Sequence, residues 1–283
     1  MPDNGFTVLL DKKSDGSVLM GKPFHKPCFK GLGDSIDELL NSGLLHVPTF
    51  RLIGGGAHAG IEDGVWTGHD TRAERITAYD RDGILGPQGM VYALDIQNGG
   101  LFVWNTRRIM DALKNRAGCR YMPLDQKEIN AVLDGIKRQD YECLKELVHG
   151  EKVVFAGDYN EFLKASAASD FAKGMESTYL VLRPAAEARI LYPYSVVIDA
   201  QRNNPDLIIA AGGVEHLNNL LDKAKGFGWS EIGADHDSYK YLNSGRVVIF
   251  FGGPHCCISA VKSLHFGGSS VGVKPEELKA FYR

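Results

Sequence analysis

The stretch FHKPCFKGLGDSIDELLNSGLL, residues 24–45, decides which fold the sequence predicts. Ser35 and Glu38 stand in capping-box spacing, and Gly43 suits the position just after the end of a helix. The pattern between them predicts a short amphipathic helix. Its apolar face consists of Ile36, Leu39 and Leu40. His25 stands directly ahead of this helix, so it is either a plain loop residue or a residue held in place to bind a ligand.

Elements of both kinds follow along the chain without regular alternation, which predicts the α+β class. The predicted strands are 49–53, 63–68, 89–99, 177–183, 188–199, 206–212, 246–251 and 257–264. The predicted helices are 69–80, 104–116, 124–138, 139–148, 158–174, 213–228 and one that begins at Pro275. Strands near both ends and helices between them predict one domain over residues 1–283, with a shared sheet and a helical insertion at about 104–175.

Composition narrows the class of function. A net charge of −3 gives the chain no broad electrostatic attraction for nucleic acid or for an anionic membrane. The five cysteines are scattered and have no zinc-ligand spacing, which favours a reducing compartment. The first residues lack the charged start and apolar run of a signal peptide, and no apolar stretch reaches the roughly 20 residues of a membrane span. These features predict a cytoplasmic protein, and an effector delivered by a route without a cleaved signal would have the same features.

The order of elements resembles the ADP-ribosyltransferase fold, in its histidine–tyrosine–glutamate branch, which includes diphtheria-toxin-like and poly(ADP-ribose)-polymerase-like enzymes. The resemblance rests on His25 ahead of a helix that ends in NSGLL, on DGVWTGHDTRAERITAYD at 63–80, on GMVYALDIQNG at 89–99 and on RVVIFF at 246–251. It covers about half of the chain, at the two ends, and implies a split antiparallel sheet. It also implies an NAD-dependent mono-ADP-ribosyltransferase that is toxin-like and whose acceptor is unknown.

The resemblance assigns roles to single residues. His25 would donate a hydrogen bond to a ribose hydroxyl of NAD, and the backbone of Lys26 would pair with the nicotinamide amide. Trp66 and Tyr79 would sandwich the nicotinamide ring, with Thr67 beside Trp66 in the binding site. Breaking the nicotinamide–ribose bond develops positive charge on the ribose, so such a site needs a stacking surface, an orienting clamp and a carboxylate.

The carboxylate is where the sequence departs from the family pattern. The branch places a glutamate at the start of its late strand, and LNSGRVVIFF at 242–251 contains no acid. Glu231, in the link before this strand, is therefore predicted as the catalytic acid, with Asp235 and Asp237 in reserve. The missing glutamate equally favours a non-catalytic protein on the same fold that binds a nucleotide or a partner. A third alternative is an interaction protein that uses the helical middle as its surface.

Other motifs offer competing sites. Arg51 on a predicted strand matches the start of the other transferase branch, and the glycines at 54–56 could cradle phosphates through backbone N–H groups. His255 next to Cys256 and Cys257 suggests a Cys–His nucleophile. Asp235, His236 and Asp237 could hold a metal, although a polar surface loop is the simpler interpretation, and no metal site is predicted.

Overall fold

The fold is a mixed sheet with helices on both of its faces. The computed structural model describes residues 7–26, 31–58, 68–77, 100–104, 107, 110, 122–123, 126–138, 140–145, 152–168, 178–183, 196–228, 231–232, 244–251, 257–261 and 268–283. Its strands are β1 (Val8–Lys12), β2 (Val18–Lys26), β3 (Leu45–His46), β4 (Gly68–Thr77), β5 (Gly100–Trp104), β6 (Met122–Pro123), β7 (Val153–Asp158), β8 (Thr178–Arg183), β9 (Val196–Val197), β10 (Glu231–Ile232), β11 (Ser244–Phe251), β12 (Cys257–Val261) and β13 (Gly268–Val273). Its helices are α1 (Gly31–Asn41), α2 (Thr49–His58), α3 (Gln126–Arg138), α4 (Glu142–Lys145), α5 (Tyr159–Ser166), α6 (Ile198–Gln201), α7 (Pro205–Ala211), α8 (Val214–Gly226) and α9 (Pro275–Phe281).

Eleven of the strands described form one sheet, along the path β1–β2–β13–β4–β5–β8–β7 with β3, β6, β11 and β12 joined to its side. The α+β class is therefore confirmed, and both ends of the chain contribute to the same sheet. Late in the sequence, β13 lies between two early strands: it is antiparallel to β2 and parallel to β4, where Ser270 pairs with Asp70. β9 and β10 form a separate two-stranded sheet.

The core occupies both faces of the central strands. In β5, Phe102 and Trp104 point into the main core while Leu101 and Val103 point into a smaller cluster on the opposite face. β8 alternates in the same way, and its residues 179–182 are buried on both faces. Strands buried on both sides lack the polar–apolar alternation of a half-exposed strand, which is why the four residues YLVL at 179–182 follow one another without a charged or strongly polar residue between them.

Helix α1 begins earlier than the capping box predicts. Its first residue is Gly31, so Ser35 lies inside the helix and is fully buried instead of serving as its N-cap. The predicted end is correct: Gly43 has φ of 72°, a conformation that glycine adopts without strain. Leu39 is buried and Leu40 is exposed, so the apolar face is narrower than predicted.

Residues 49–58 form helix α2 rather than a strand and a phosphate-binding loop. Gly55 serves close packing, because a Cβ built on it would lie 1.8 Å from the carbonyl oxygen of Leu9 in β1. The helix therefore lies directly on the backbone of β1. A strand was predicted because TFRLI has β-branched and aromatic residues, and tertiary packing overrides that preference.

Residues 68–77 form β4 rather than the helix predicted over 69–80. The strand pairs with β5 on one side and with β11 on the other. Its pairing with β11 runs from Thr77 opposite Ser244 to Gly68 opposite Phe251. The apolar spacing at Ala73, Ile76 and Tyr79 suggested a helix. Two neighbouring strands that need hydrogen-bond partners outweigh that local signal.

The segment DLIIAAG is likewise helical and forms most of α7. Pro205 occupies the first position of the helix, where its missing N–H costs nothing. Buried Asn204 accepts a hydrogen bond from the backbone N–H of Leu207 at 3.3 Å, as an N-cap residue does. A buried helix and a buried strand look alike over a run of five apolar residues, and this cap is the signal that distinguishes them.

The middle of the chain is helical at α3, α4 and α5, as predicted, but it also supplies β7. This strand pairs in parallel with β8 and ends the path of the main sheet. Asp158, its last residue, caps α5 in a complete capping box: its side chain accepts from the N–H of Glu161 at 2.8 Å and its own N–H donates to Glu161 at 2.8 Å.

Removing this cap has a measurable cost. Asp158→Ala leaves the N–H of Glu161 without its partner, so we expect the free energy of unfolding to fall by about 1 kcal/mol. Urea denaturation checks this value against Asn160→Ala, a change at an exposed residue in the first turn of the same helix. Equal midpoints for the two variants would show that the capping box contributes nothing.

Candidate functional site

Five neighbouring strands end in one row across the sheet. Gly100 of β5 pairs with Arg183 of β8, and Ser244 of β11 pairs with Thr77 of β4 and with Pro123 of β6. Leu101 pairs with Ile76, which places Gly100 beside Thr77 and closes the row. We call these five residues the strand-end row. With neighbouring strands about 4.8 Å apart, the row is about 19 Å wide.

Long connections begin or end at this row. The chain leaves β4 at Thr77 and returns at Gly100, leaves β8 at Arg183, and enters β11 at Ser244. The adjoining sequence segments 78–99, 184–195 and 233–243 contain six of the eleven tyrosines in the chain. Tyrosine gives a binding surface a large, rigid contact area with a polar end, and it is enriched where proteins recognise other proteins.

The residues predicted for NAD binding are only partly described. His25 and Lys26 end β2, where they pair with Ser269 and Gly268 of β13. Glu231 lies in β10 opposite Val197, in the small second sheet rather than in a link. Trp66, Thr67 and Tyr79 lie outside the described residues, as do the reserve acids Asp235 and Asp237. The convergence of His25, Trp66 and Tyr79 on one pocket therefore stays a prediction.

The competing nucleophile and metal sites also fall largely outside the described residues. His255 and Cys256 are among those not described, and so is His236 between its two aspartates. Cys257 begins β12 opposite Phe251. Within the ranges that are described, no three side chains of the metal-binding types come together.

A second cluster surrounds Arg51, which the sequence placed on a strand and the structure places in α2. Its Nη1 lies 3.1 Å from Oδ2 of Asp11 in β1, and Tyr282 donates to the same carboxylate oxygen at 2.5 Å. Arg51 also contacts the Tyr282 hydroxyl directly. The guanidinium lies 5.4 Å from the ring centre of Phe50 and 4.6 Å from that of Tyr282. We call Asp11, Arg51 and Tyr282 the Arg51 cluster.

Burial governs the electrostatics of the Arg51 cluster. Arg51 is 8% exposed, and this burial lowers the pKa of its guanidinium while Tyr282 and Asp11 act to raise it. Burial likewise raises the pKa of the Tyr282 hydroxyl, against the lowering effect of Arg51. A buried cation held by one carboxylate and two rings is typical of structural pairing. The cluster therefore joins β1, α2 and the residue after α9.

The chain is similar in structure to a solved protein from Nanoarchaeota, described as the accommodation of massive sequence variation by the C-type lectin fold. The TM-score is 0.54, over 90% of this chain and 98% of that one, at 14% sequence identity. No family model and no curated protein sequence matches the chain. Among the described residues, no helix combines the length and the apolar character that crossing a bilayer requires.

The likeness overturns the predicted family. The prediction of an ADP-ribosyltransferase that is toxin-like was wrong, because the structural likeness is to a C-type lectin fold. That prediction rested on the order and spacing of elements. One of those elements, the helix predicted over 69–80, is a strand in the structure. Whether the chain is an enzyme of another kind stays a prediction. NAD as a ligand and the unknown acceptor stay predictions. At 14% identity the comparison shows a shared fold alone, and that fold is the C-type lectin fold.

Proposed function

We propose that this chain is a binding protein that recognises a protein surface with the strand-end row and the segments that adjoin it. The observation that carries the proposal is the row itself, five strand ends at one edge of a sheet whose strands β5 and β8 are buried on both faces. A rigid sheet with several long connections attached at one edge separates stability from recognition. The Nanoarchaeota protein is described as using the C-type lectin fold to accommodate sequence variation, which agrees with such a division.

The width of the row favours a protein partner over a small molecule. A row of about 19 Å matches a patch of a protein–protein interface, whereas drug-sized ligands are enclosed in a concave pocket. The tyrosines of the adjoining segments favour the same partner class, since tyrosine and tryptophan are enriched among the residues that dominate such interfaces. The low net charge is consistent with a partner bound through packing and hydrogen bonds rather than through broad charge attraction.

The test compares a substitution in a segment that adjoins the row with a substitution outside those segments. A partner captured with the immobilised chain is purified, and its affinity is measured by calorimetry against three versions of the chain. Tyr239→Ala combined with Tyr241→Ala, five and three residues before Ser244, is expected to weaken binding by about 100-fold or more. Tyr141→Ala is the matched control: Tyr141 lies before α4 and donates to Glu161 at 2.9 Å. It is expected to change the affinity less than about threefold.

Two results would contradict the proposal. One is a partner whose affinity falls with Tyr141→Ala and not with the double change at the row. The other is NAD cleavage by the wild-type chain, measured by release of nicotinamide, together with no partner bound. The NAD experiment also tests the remaining prediction directly, because saturable heat on titration with NAD would show a nucleotide site.

A further inference from the structure

The residues after β13 form a short strap, and side chains of the strap itself hold it against the rest of the fold. Helix α9 follows β13 after a single residue, Lys274, and we call residues 275–282 the strap. Leu278 and Phe281 are buried against the main core. Lys13, in the turn between β1 and β2, lies 4.8 Å from the ring centre of Phe281.

The last strap residue, Tyr282, contacts polar groups of β1 and α2. Its hydroxyl donates to Asp11 at 2.5 Å. The centre of its ring lies 4.6 Å from the Arg51 guanidinium and 5.0 Å from the ring centre of Phe281. A helix of seven residues is not stable in water by itself, because its nucleation cost exceeds what so few hydrogen bonds return. The strap is therefore helical only while it is docked.

The central strands of the sheet are held much more strongly than the strap. β5 and β8 are buried on both faces, whereas the strap docks through two buried apolar side chains and the Arg51 cluster. Proteins open in cooperative segments, and segments with few buried contacts open first. We propose that the strap opens as a unit while the sheet stays folded, and that this opening uncovers the Arg51 guanidinium.

The opening can be measured by hydrogen exchange of the full chain. In the wild type, the N–H groups of Leu278 and Tyr282, which donate to Lys274 and Leu278, are expected to exchange at least about tenfold faster than those of β8. Tyr282→Phe removes a hydrogen bond to a charged group and keeps the ring, so exchange in the strap should rise roughly tenfold to hundredfold. Exchange in β8 should not change.

Tyr141→Phe is the matched control, because it removes a tyrosine hydrogen bond to Glu161 far from the strap. It should leave strap exchange unchanged. The second readout is the reaction of Arg51 with phenylglyoxal, mapped by mass spectrometry, which should quicken in Tyr282→Phe by a similar factor. Strap exchange that is unchanged in Tyr282→Phe, or that rises equally in β8, would overturn the proposal. Arg51 that stays unreactive while the strap exchanges faster would overturn its second half.

Discussion

Gly55→Ala is expected to leave the chain largely unfolded. The new Cβ would lie 1.8 Å from the carbonyl oxygen of Leu9 and 2.7 Å from its carbonyl carbon, and both atoms belong to the backbone. A flexible side chain could move aside, but here either α2 or β1 must shift as a whole. Overpacking of a core costs about 1–3 kcal/mol and more where backbone must move, which is a large part of the roughly 5–15 kcal/mol that stabilises a domain.

The neighbouring glycine gives the matched control. A Cβ on Gly54 would meet its nearest atom, the carbonyl oxygen of Leu10, at 3.8 Å, an ordinary contact. Gly54→Ala should therefore keep the fold and could raise the free energy of unfolding by up to about 1 kcal/mol, because alanine favours helix. Thermal unfolding followed by circular dichroism compares the two variants. A Gly55→Ala protein as stable as Gly54→Ala would mean that α2 does not lie on β1 as described.

Phe162→Ala is expected to cost about 3–5 kcal/mol in the free energy of unfolding. Phe162 is fully buried and connects α5 to the aromatic core, with its ring 6.3 Å from Trp104 and 6.4 Å from Phe155. Trp104 also meets Phe50 and Tyr179 edge-on, so the cavity would open beside a ring that belongs to a larger packed cluster. Such rings are held by their neighbours and collapse only partly into a void.

Chemical denaturation measures this loss, with Lys164→Ala as its control. Lys164 is exposed on the same helix, so its replacement should change stability by less than about 0.5 kcal/mol. A Phe162→Ala loss below about 1 kcal/mol would show that the aromatic core closes around the missing ring, against the geometry described here.

The sequence predicted elements correctly where local signals and tertiary packing agree. Helix α8 has Leu217, Leu220, Leu221 and Ala224 on one buried face, at the spacing that the sequence shows. Strand β11 is recognisable from its apolar run in the same way. The helix at Pro275 also begins where proline favours a first helical turn.

The errors occur where neighbours decide the structure. β4 carries charged residues and a helical spacing, yet it forms a strand because β5 and β11 both pair with it. α2 contains three glycines that disfavour a helix, yet β1 needs a neighbour without side chains at Gly55. The partner strands β5, β11 and β1 are all distant in sequence from the segments that they pair with or pack against, so no local pattern could reveal these requirements.

The candidate site was harder to predict than the fold class. The strand-end row depends on register between strands far apart in the chain, and a single sequence does not show register. Arg51 was singled out, but its pairing with Asp11 and Tyr282 spans nearly the whole sequence and has no local signature. The tyrosines of the adjoining segments were visible and could have pointed to a recognition surface.

The position of β13 has a consequence for how the protein is made. β2 and β4 are not bridged until β13 enters between them, and about 190 residues separate the end of β4 from its start. At a synthesis rate of about 5–20 residues per second, ribosomes need roughly 10 to 40 s to translate that distance. Throughout this interval the nascent chain presents two unpaired strand edges, so its yield in a cell should depend on chaperones that shield such edges until translation reaches Gly268.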